Sequence, residues 1–148
     1  MSANATATVL QLLFPQAPST RASVGLFALR AFTGVTMMIH GWGKISNPFH
    51  WMDKSSSPAP AVFQALAALA EFGGGAALIL GLLTTVAAFG IASTMVVAIA
   101  THVSKGDPFT GKGSWELAGV YLVICVALVG IGPGRLSLDD KFIRPKLP

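Results

Sequence analysis

The sequence predicts an all-α fold, an integral membrane four-helix bundle, and three observations predict it. Hydrophobic residues make up 53% of the 148-residue chain and charged residues only 11%, where an ordinary soluble domain carries about 25% charged residues. Four segments approach the roughly 20 apolar residues that a spanning helix needs, and each holds very few charges. Soluble buried helices seldom run this long without a polar face, so four in succession point to lipid as the solvent.

Residues 1–22 hold a short apolar patch at residues 9–14, closed by Pro15 and Pro18 and followed by Arg21. The patch is too short to cross a bilayer. A basic start followed by a small-residue cleavage site is lacking, so no removable signal peptide is expected and the first span is expected to stay in the mature protein. The spans are expected at residues 23–42, 59–82, 84–103 and 115–131, within a single membrane domain. Between the first two lies a polar loop with Asn47-Pro48, the serine run 55–57, Pro58 and Pro60, all turn chemistry. Residues 81–85 leave room only for a tight antiparallel helix hairpin between the second and third spans. The next loop, residues 104–114, contains Gly106, Asp107, Pro108, Gly111 and Gly113, and Ser114 is expected to cap the fourth helix. Gly132-Pro133-Gly134 stops that helix, and the tail at residues 135–148 is polar and basic.

The formal net charge of +4 does not indicate nucleic-acid binding, because the ten Lys and Arg residues are scattered beside apolar runs. They read as topology signals instead. Four spans place Arg21, Arg135, Lys141, Arg144 and Lys146 at one face and Lys44, Lys54, Lys105 and Lys112 at the other. The small excess on the first face leans towards both termini in the cytoplasm, and the protein is expected in the cytoplasmic (inner) membrane. The single cysteine, Cys125, excludes an intramolecular disulfide and a Cys-rich metal motif. No phosphate-binding glycine loop, Cys-x-x-Cys, dinucleotide fingerprint or nucleophile elbow is present, and no metal site is expected.

Charge at membrane depth is kept when it is paired or useful. Arg30 lies roughly 12 Å from the start of the first span and Glu71 roughly 16 Å from the end of the second. Similar depth makes an Arg30–Glu71 ion pair the expectation, serving either packing or binding and proton handling. A second cluster is expected at the outer face, where His40, Lys44, His102, Trp115 and Glu116 fall at one level. His40 and Lys44 share a helix face if the first helix continues through Lys44. A histidine there can carry a proton, with Glu116 as its carboxylate partner. Two histidines from different spans can also bind a haem b iron axially, a weak signal on its own. The plainer reading stands beside these: Glu116 complements a helix N-terminus, while the histidines and Trp42, Trp51 and Trp115 form an interfacial belt. Gly73-Gly74-Gly75, Gly90, Ala92 and Ser93 let helix backbones approach closely, and the glycine run could leave room for a flat ligand beside Glu71.

The stretches His40-Gly41-Trp42-Gly43-Lys44, Ala70-Glu71-Phe72-Gly73-Gly74-Gly75, Leu80-Gly81-Leu82-Leu83-Thr84, Trp115-Glu116-Leu117 and Gly132-Pro133-Gly134-Arg135-Leu136-Ser137-Leu138-Asp139 resemble the DoxX family of small four-span bacterial membrane proteins. The resemblance covers roughly residues 24–140, and the loop at residues 44–60 departs from the family pattern. DoxX-like proteins are associated with membrane oxidoreductase systems, including a subunit of a quinone-reducing thiosulfate oxidase and a complex linking thiol and superoxide stress defence. The resemblance implies a quinone or partner site at Arg30, His40, Lys44, Glu71, His102 and Glu116.

Together these readings predict a membrane subunit of a quinone-linked oxidoreductase system. His40, His102 and Glu116 would act on the head group, with Lys44, Trp115, Glu71 and Arg30 as binding residues. No electron carrier is visible in the chain, so a redox partner protein or a bound haem would supply electrons. The alternative is a non-catalytic scaffold or small carrier that recruits a soluble partner. Assembly as a homo-oligomer is left open.

Overall fold

The computed structural model describes residues 11, 18–55 and 58–146. The apolar patch at residues 9–14 (its Gln11 aside), Pro15, Ser56, Ser57 and the last two residues of the tail lie outside the described residues. The fold is all-helical, with no strand among the described residues. Its helices are α1 (Thr20–Ile45), α2 (Ala61–Leu80), α3 (Thr84–Ser104) and α4 (Glu116–Ile131). A short helical segment, Asp139–Ile143 followed by Arg144–Lys146, is the last element among the described residues.

Three of these helices, not the four expected, are long and apolar enough to cross a membrane: α1 with 26 residues, α2 with 20 and α3 with 21. The fourth has 16 residues, about 24 Å at 1.5 Å per residue, against a hydrocarbon core of about 30 Å. It is short because both ends are set by turn chemistry. Gly132, at φ +83°, and Pro133 end it, and it starts only after the glycine-rich loop. Ser114 does not cap it: Trp115 takes the N-cap position without a side-chain bond, leaving Glu116 in the first turn to complement the helix dipole.

Each helix buries one stripe. In α1 the buried residues are Ser23, Leu26, Arg30, Thr33, Gly34, Met37 and Gly41, the three-and-four spacing of a single helical face. In α2 Gln64, Ala68, Glu71, Gly75 and Leu78 repeat the pattern. The polarity is inverted relative to a soluble protein. Arg30 is wholly buried and Glu71, Gln64 and Asp139 nearly so, whereas Phe32, Ile39 and Val123 are each 69% exposed. That arrangement is stable where the surroundings are hydrocarbon, because the apolar side chains then face their own kind and the polar ones find partners inside.

The helices α1 and α2 meet through glycines. A Cβ on Gly34 would lie 2.5 Å from the Gly75 carbonyl oxygen, one on Gly75 would lie 2.7 Å from the Gly34 oxygen, and one on Gly41 would lie 2.6 Å from the Phe72 nitrogen. Side chains there would force the backbones apart, so the Gly73–Gly75 run serves packing. These contacts also fix a stagger. Gly41 is level with Phe72 and Gly34 with Gly75 and Ile79, so the start of α1 projects past the end of α2 and the first turns of α2 project past the end of α1. Trp51 and Gln64 fasten the polar loop to the projecting turns of α2. The indole donates to the Gln64 carbonyl at 3.0 Å, and the buried Gln64 amide accepts from Met52 at 3.0 Å and donates to Ala59 at 2.8 Å.

At the other end the chain after α4 folds back as a clasp. Asp139 accepts from the backbone nitrogens of Leu83 at 2.7 Å and Thr84 at 2.8 Å, capping α3 from outside it. Leu83 is the one non-glycine residue with positive φ among the described residues, at +47°, and the cap offsets the roughly 1–2 kcal/mol such a conformation costs. Gly81, at φ +66°, ends α2 in the left-handed conformation, and any Cβ there would strike the Arg30 guanidinium. The Arg135 nitrogen donates to the Ser23 hydroxyl at 3.0 Å, tying the clasp to the start of α1.

The expected Arg30–Glu71 pair is absent. Arg30 donates instead to the carbonyls of Leu78 at 3.2 Å and Leu136 at 2.5 Å. The stagger is the reason: distances counted from helix ends equate depths only when the ends are level, and here Arg30 sits beside the end of α2 while Glu71 sits beside the end of α1.

Candidate functional site

All four helices contribute to one cleft at the end opposite the clasp. Met37, His40 and Lys44 come from α1, Met95, Ala98 and His102 from α3, and Leu117, Ala118 and Tyr121 from α4, with Ser114 just before it. The α1 and α3 sets follow the three-, four- and seven-residue spacing that keeps side chains on one helical face, and Leu117 and Ala118 lie four and three residues before Tyr121. From α2 comes Glu71, at the centre of a π-helical turn, Leu69–Gly73. The extra residue in such a turn breaks the regular ladder and re-aims a side chain. The cleft encloses about 240 Å³.

Lys44 and Glu71 form its charged wall. The Lys44 ammonium donates to both Glu71 oxygens, at 2.5 and 2.7 Å, with the glutamate side chain 5% exposed and the lysine 25%. A helical side chain leans towards its own N-terminus, which carries Lys44 back from the end of α1 to Glu71. The same ammonium stands 4.7 Å from the centre of the Trp51 ring, so the loop that holds Trp51 lies over the pair.

On the far wall His102 Nδ1 lies 2.7 Å from an Asp107 carboxylate oxygen. The Asp107 nitrogen also bonds the His102 carbonyl at 3.0 Å, so the loop folds back on the helix that ends beside it. A carboxylate on Nδ1 fixes the ring orientation and leaves Nε2 as the free nitrogen. His40 meets Tyr121 edge to face, with ring centres 6.4 Å apart and planes at 74°.

Of the residues expected from sequence, His40, Lys44, His102 and Glu71 are brought together, and Glu71 belongs to this cluster rather than to a deeper one. Arg30 is at the clasp. Trp115 lies against Phe109, ring centres 4.6 Å apart, outside the cleft lining, and Glu116 is exposed at the first turn of α4. The histidine's carboxylate is therefore Asp107, not Glu116: five residues separate it from His102, and a turn at the helix end closes that gap. Tyr121 and Ser114 were also missed. Tyr121, the chain's one tyrosine, sits seven residues after Ser114 on a helix otherwise wholly apolar from residue 117, a spacing that could have marked it.

Chemically, the cleft offers a lysine–carboxylate pair, a histidine held by a carboxylate, a second histidine and a phenol, set among methionine, leucine and alanine. No group of three or more metal-ligating His, Cys, Asp or Glu side chains occurs among the described residues. Curated proteins and solved structures yield no match to the chain. The profile of the DoxX family matches residues 25–104, from α1 to the end of α3, and so takes in His40, Lys44, Glu71 and His102. With more than half its length matched, the chain belongs to the DoxX family.

Proposed function

We propose that this protein is a membrane subunit of a quinone-linked oxidoreductase system, and that the cleft holds the quinone head group. The observation that carries the reading is the convergence of His102–Asp107, Tyr121, His40 and Lys44–Glu71 on one small apolar-walled cleft. A volume of about 240 Å³ lies below the roughly 300–1,000 Å³ of drug-sized ligand sites. It suits a ring whose isoprenoid tail leaves between helices into lipid. A bound quinone supplies two-electron, two-proton chemistry, with electrons arriving from a redox partner protein. The chain's own groups bind and move protons. His102 Nε2, with Nδ1 held on Asp107, hydrogen-bonds one carbonyl oxygen and gives or takes a proton there. Tyr121 donates towards the other, and Lys44–Glu71 fixes the charge of the wall.

In this reading the chain is a single membrane domain, a four-helix bundle whose fourth helix also crosses where flanking side chains and a thinned bilayer make up its length. It sits in the cytoplasmic membrane with both termini inside and the cleft towards the outer face. Protein purified with native lipid is expected to carry quinone in its extract. The delipidated form is expected to bind a short-chain benzoquinone saturably, and His102→Ala and Glu71→Gln to bind it at least tenfold more weakly. An extract free of quinone together with no saturable binding refutes the proposal and leaves the scaffold or carrier role.

A further inference from the structure

A second concavity lies at the clasp end, remote from the cleft and independent of the quinone reading. It is a groove of about 620 Å³ between α1, the end of α2 and the returning chain. Its floor is Phe27, Ile79, Leu80 and Leu136, and its rim carries Arg135 and Lys141. Phe27, Leu80 and Leu136 are each about half exposed, so the floor runs into the apolar outer surface of α1 and α2.

The charges at this end divide unevenly. Both carboxylates are committed: Asp139 caps α3 through the Leu83 and Thr84 nitrogens, and Asp140, which borders the groove, is paired with Arg144. Arg30, buried below, faces Asp139's side of the clasp and bonds only carbonyls. Arg135 and Lys141, by contrast, make no ion pair among the described residues, and neither does Arg21 nearby in sequence to the α1 start. Arg135 spends only its Nε, on the Pro18 carbonyl at 3.0 Å, leaving its terminal nitrogens free. Lys141 stands over the Phe142 ring at 5.2 Å. The end of the molecule therefore presents two available cations above an apolar slot that is continuous with the lipid-facing surface.

We infer that this groove is a binding site for an anionic phospholipid, its phosphate held by Arg135 and Lys141 and an acyl chain lying along Phe27, Leu80 and Leu136. A free phosphate would use the cations and leave the apolar floor wet; a zwitterionic lipid would use the floor and place its own ammonium among the cations. Only a lipid of net negative charge satisfies both. A basic segment just beyond a spanning helix attracts such lipids from the cytoplasmic leaflet, which is the leaflet the charge distribution assigns to this end.

The test is native mass spectrometry of the full chain released from micelles, titrated with phosphatidylglycerol, phosphatidylcholine or inorganic phosphate. The expected result is a one-to-one phosphatidylglycerol adduct, with the other two bound at least tenfold more weakly. Lys141→Gln is expected to weaken that adduct about fivefold and Arg135→Gln with Lys141→Gln roughly thirtyfold. Lys105→Gln with Lys112→Gln, at the opposite end, is expected to leave it unchanged. Equal retention of phosphatidylcholine, displacement of the lipid by phosphate at matching concentration, or an adduct indifferent to Lys141→Gln overturns the inference. The Lys141 side chain is exposed and makes no hydrogen bond or ion pair among the described residues, so its single variant stays informative if the double variant fails to fold.

Discussion

Replacing Lys44 by methionine leaves the Glu71 carboxylate with its side chain 5% exposed and no second cation in contact among the described residues. Removing one member of a buried pair costs about 3–5 kcal/mol, because the remaining charge keeps its desolvation penalty and loses its compensation. Glu71→Gln is a milder change. The freed ammonium is 25% exposed and already faces the Trp51 ring at 4.7 Å, so it can turn towards water and the indole. What is lost is the charge assistance on a hydrogen bond that glutamine still accepts, about 1–2 kcal/mol. Two substitutions of one ion pair thus have unequal costs, and the double variant is expected near the milder single one, a coupling as large as the Lys44→Met cost itself, about 3–5 kcal/mol. Equilibrium unfolding in mixed micelles of increasing denaturing-detergent fraction measures all four corners of the cycle. If the two singles cost the same and the double equals their sum within about 0.5 kcal/mol, then Lys44 and Glu71 are not coupled in lipid and the charged wall of the cleft does not exist.

Gly41→Ala is expected to destabilise by about 1–3 kcal/mol, because its Cβ would meet the Phe72 backbone at 2.6 Å; Gly43→Ala, two residues on with nothing within 4 Å, is expected to be neutral or stabilising, and the midpoints of the same unfolding curves compare them. Asp139→Ala removes both acceptors of the α3 cap and is expected to cost about 1–3 kcal/mol, with faster amide exchange confined to residues 83 and 84 and their neighbours; exchange unchanged there would show that the clasp does not hold the helix. Asp107→Asn is expected to weaken short-chain quinone binding about tenfold while moving the unfolding midpoint little, since the His102–Asp107 contact is one-third exposed; an equal loss of stability and binding would mark the contact as structural only.

Hydropathy was enough to read where α1, α2 and α3 lie, because in a bilayer the backbone has to satisfy itself and the apolar run has to match a thickness. The ends were less legible. Gly132-Pro133-Gly134 marks the stop of α4, but Ser114, a cap by residue type, lies two residues before the helix begins, in a loop whose glycines at 106, 111 and 113 all take positive φ. The π-helical turn at Glu71 leaves no mark in the apolar pattern, since the buried positions 64, 68, 71, 75 and 78 keep three- and four-residue steps through it. Depth was the larger failure. Counting from helix ends puts Arg30 and Glu71 at one depth, but it is a one-dimensional measure that ignores the stagger set by Gly34, Gly41 and Gly75. Those same glycines were visible in the sequence; what was not visible was which pair of them would touch.

The stagger has a functional reading of its own. With α1 projecting at one end and α2 at the other, the molecule has two recesses where a helix outruns its neighbour, and each is closed by a different polar segment. At the α1 end the returning chain enters the recess and leaves a groove beside Phe27, Leu80 and Leu136: Arg30 bonds the carbonyls of Leu78 and Leu136, Asp139 caps α3, and Gly81 leaves the guanidinium its space. At the α2 end the loop holding Trp51 covers Lys44 and Glu71 but does not fill the space beneath, where His102 and Tyr121 face a cleft. A buried polar group is retained when it is paired or when it is used. Backbone nitrogens account for Asp139 and backbone carbonyls for the two terminal nitrogens of Arg30, whose buried Nε has no partner among the described residues, so substitution of either residue should register in stability. The His102 ring has its Nδ1 held by Asp107, so in the proposed function Nε2 is the nitrogen that meets the ligand, and substitution of His102 should register in binding.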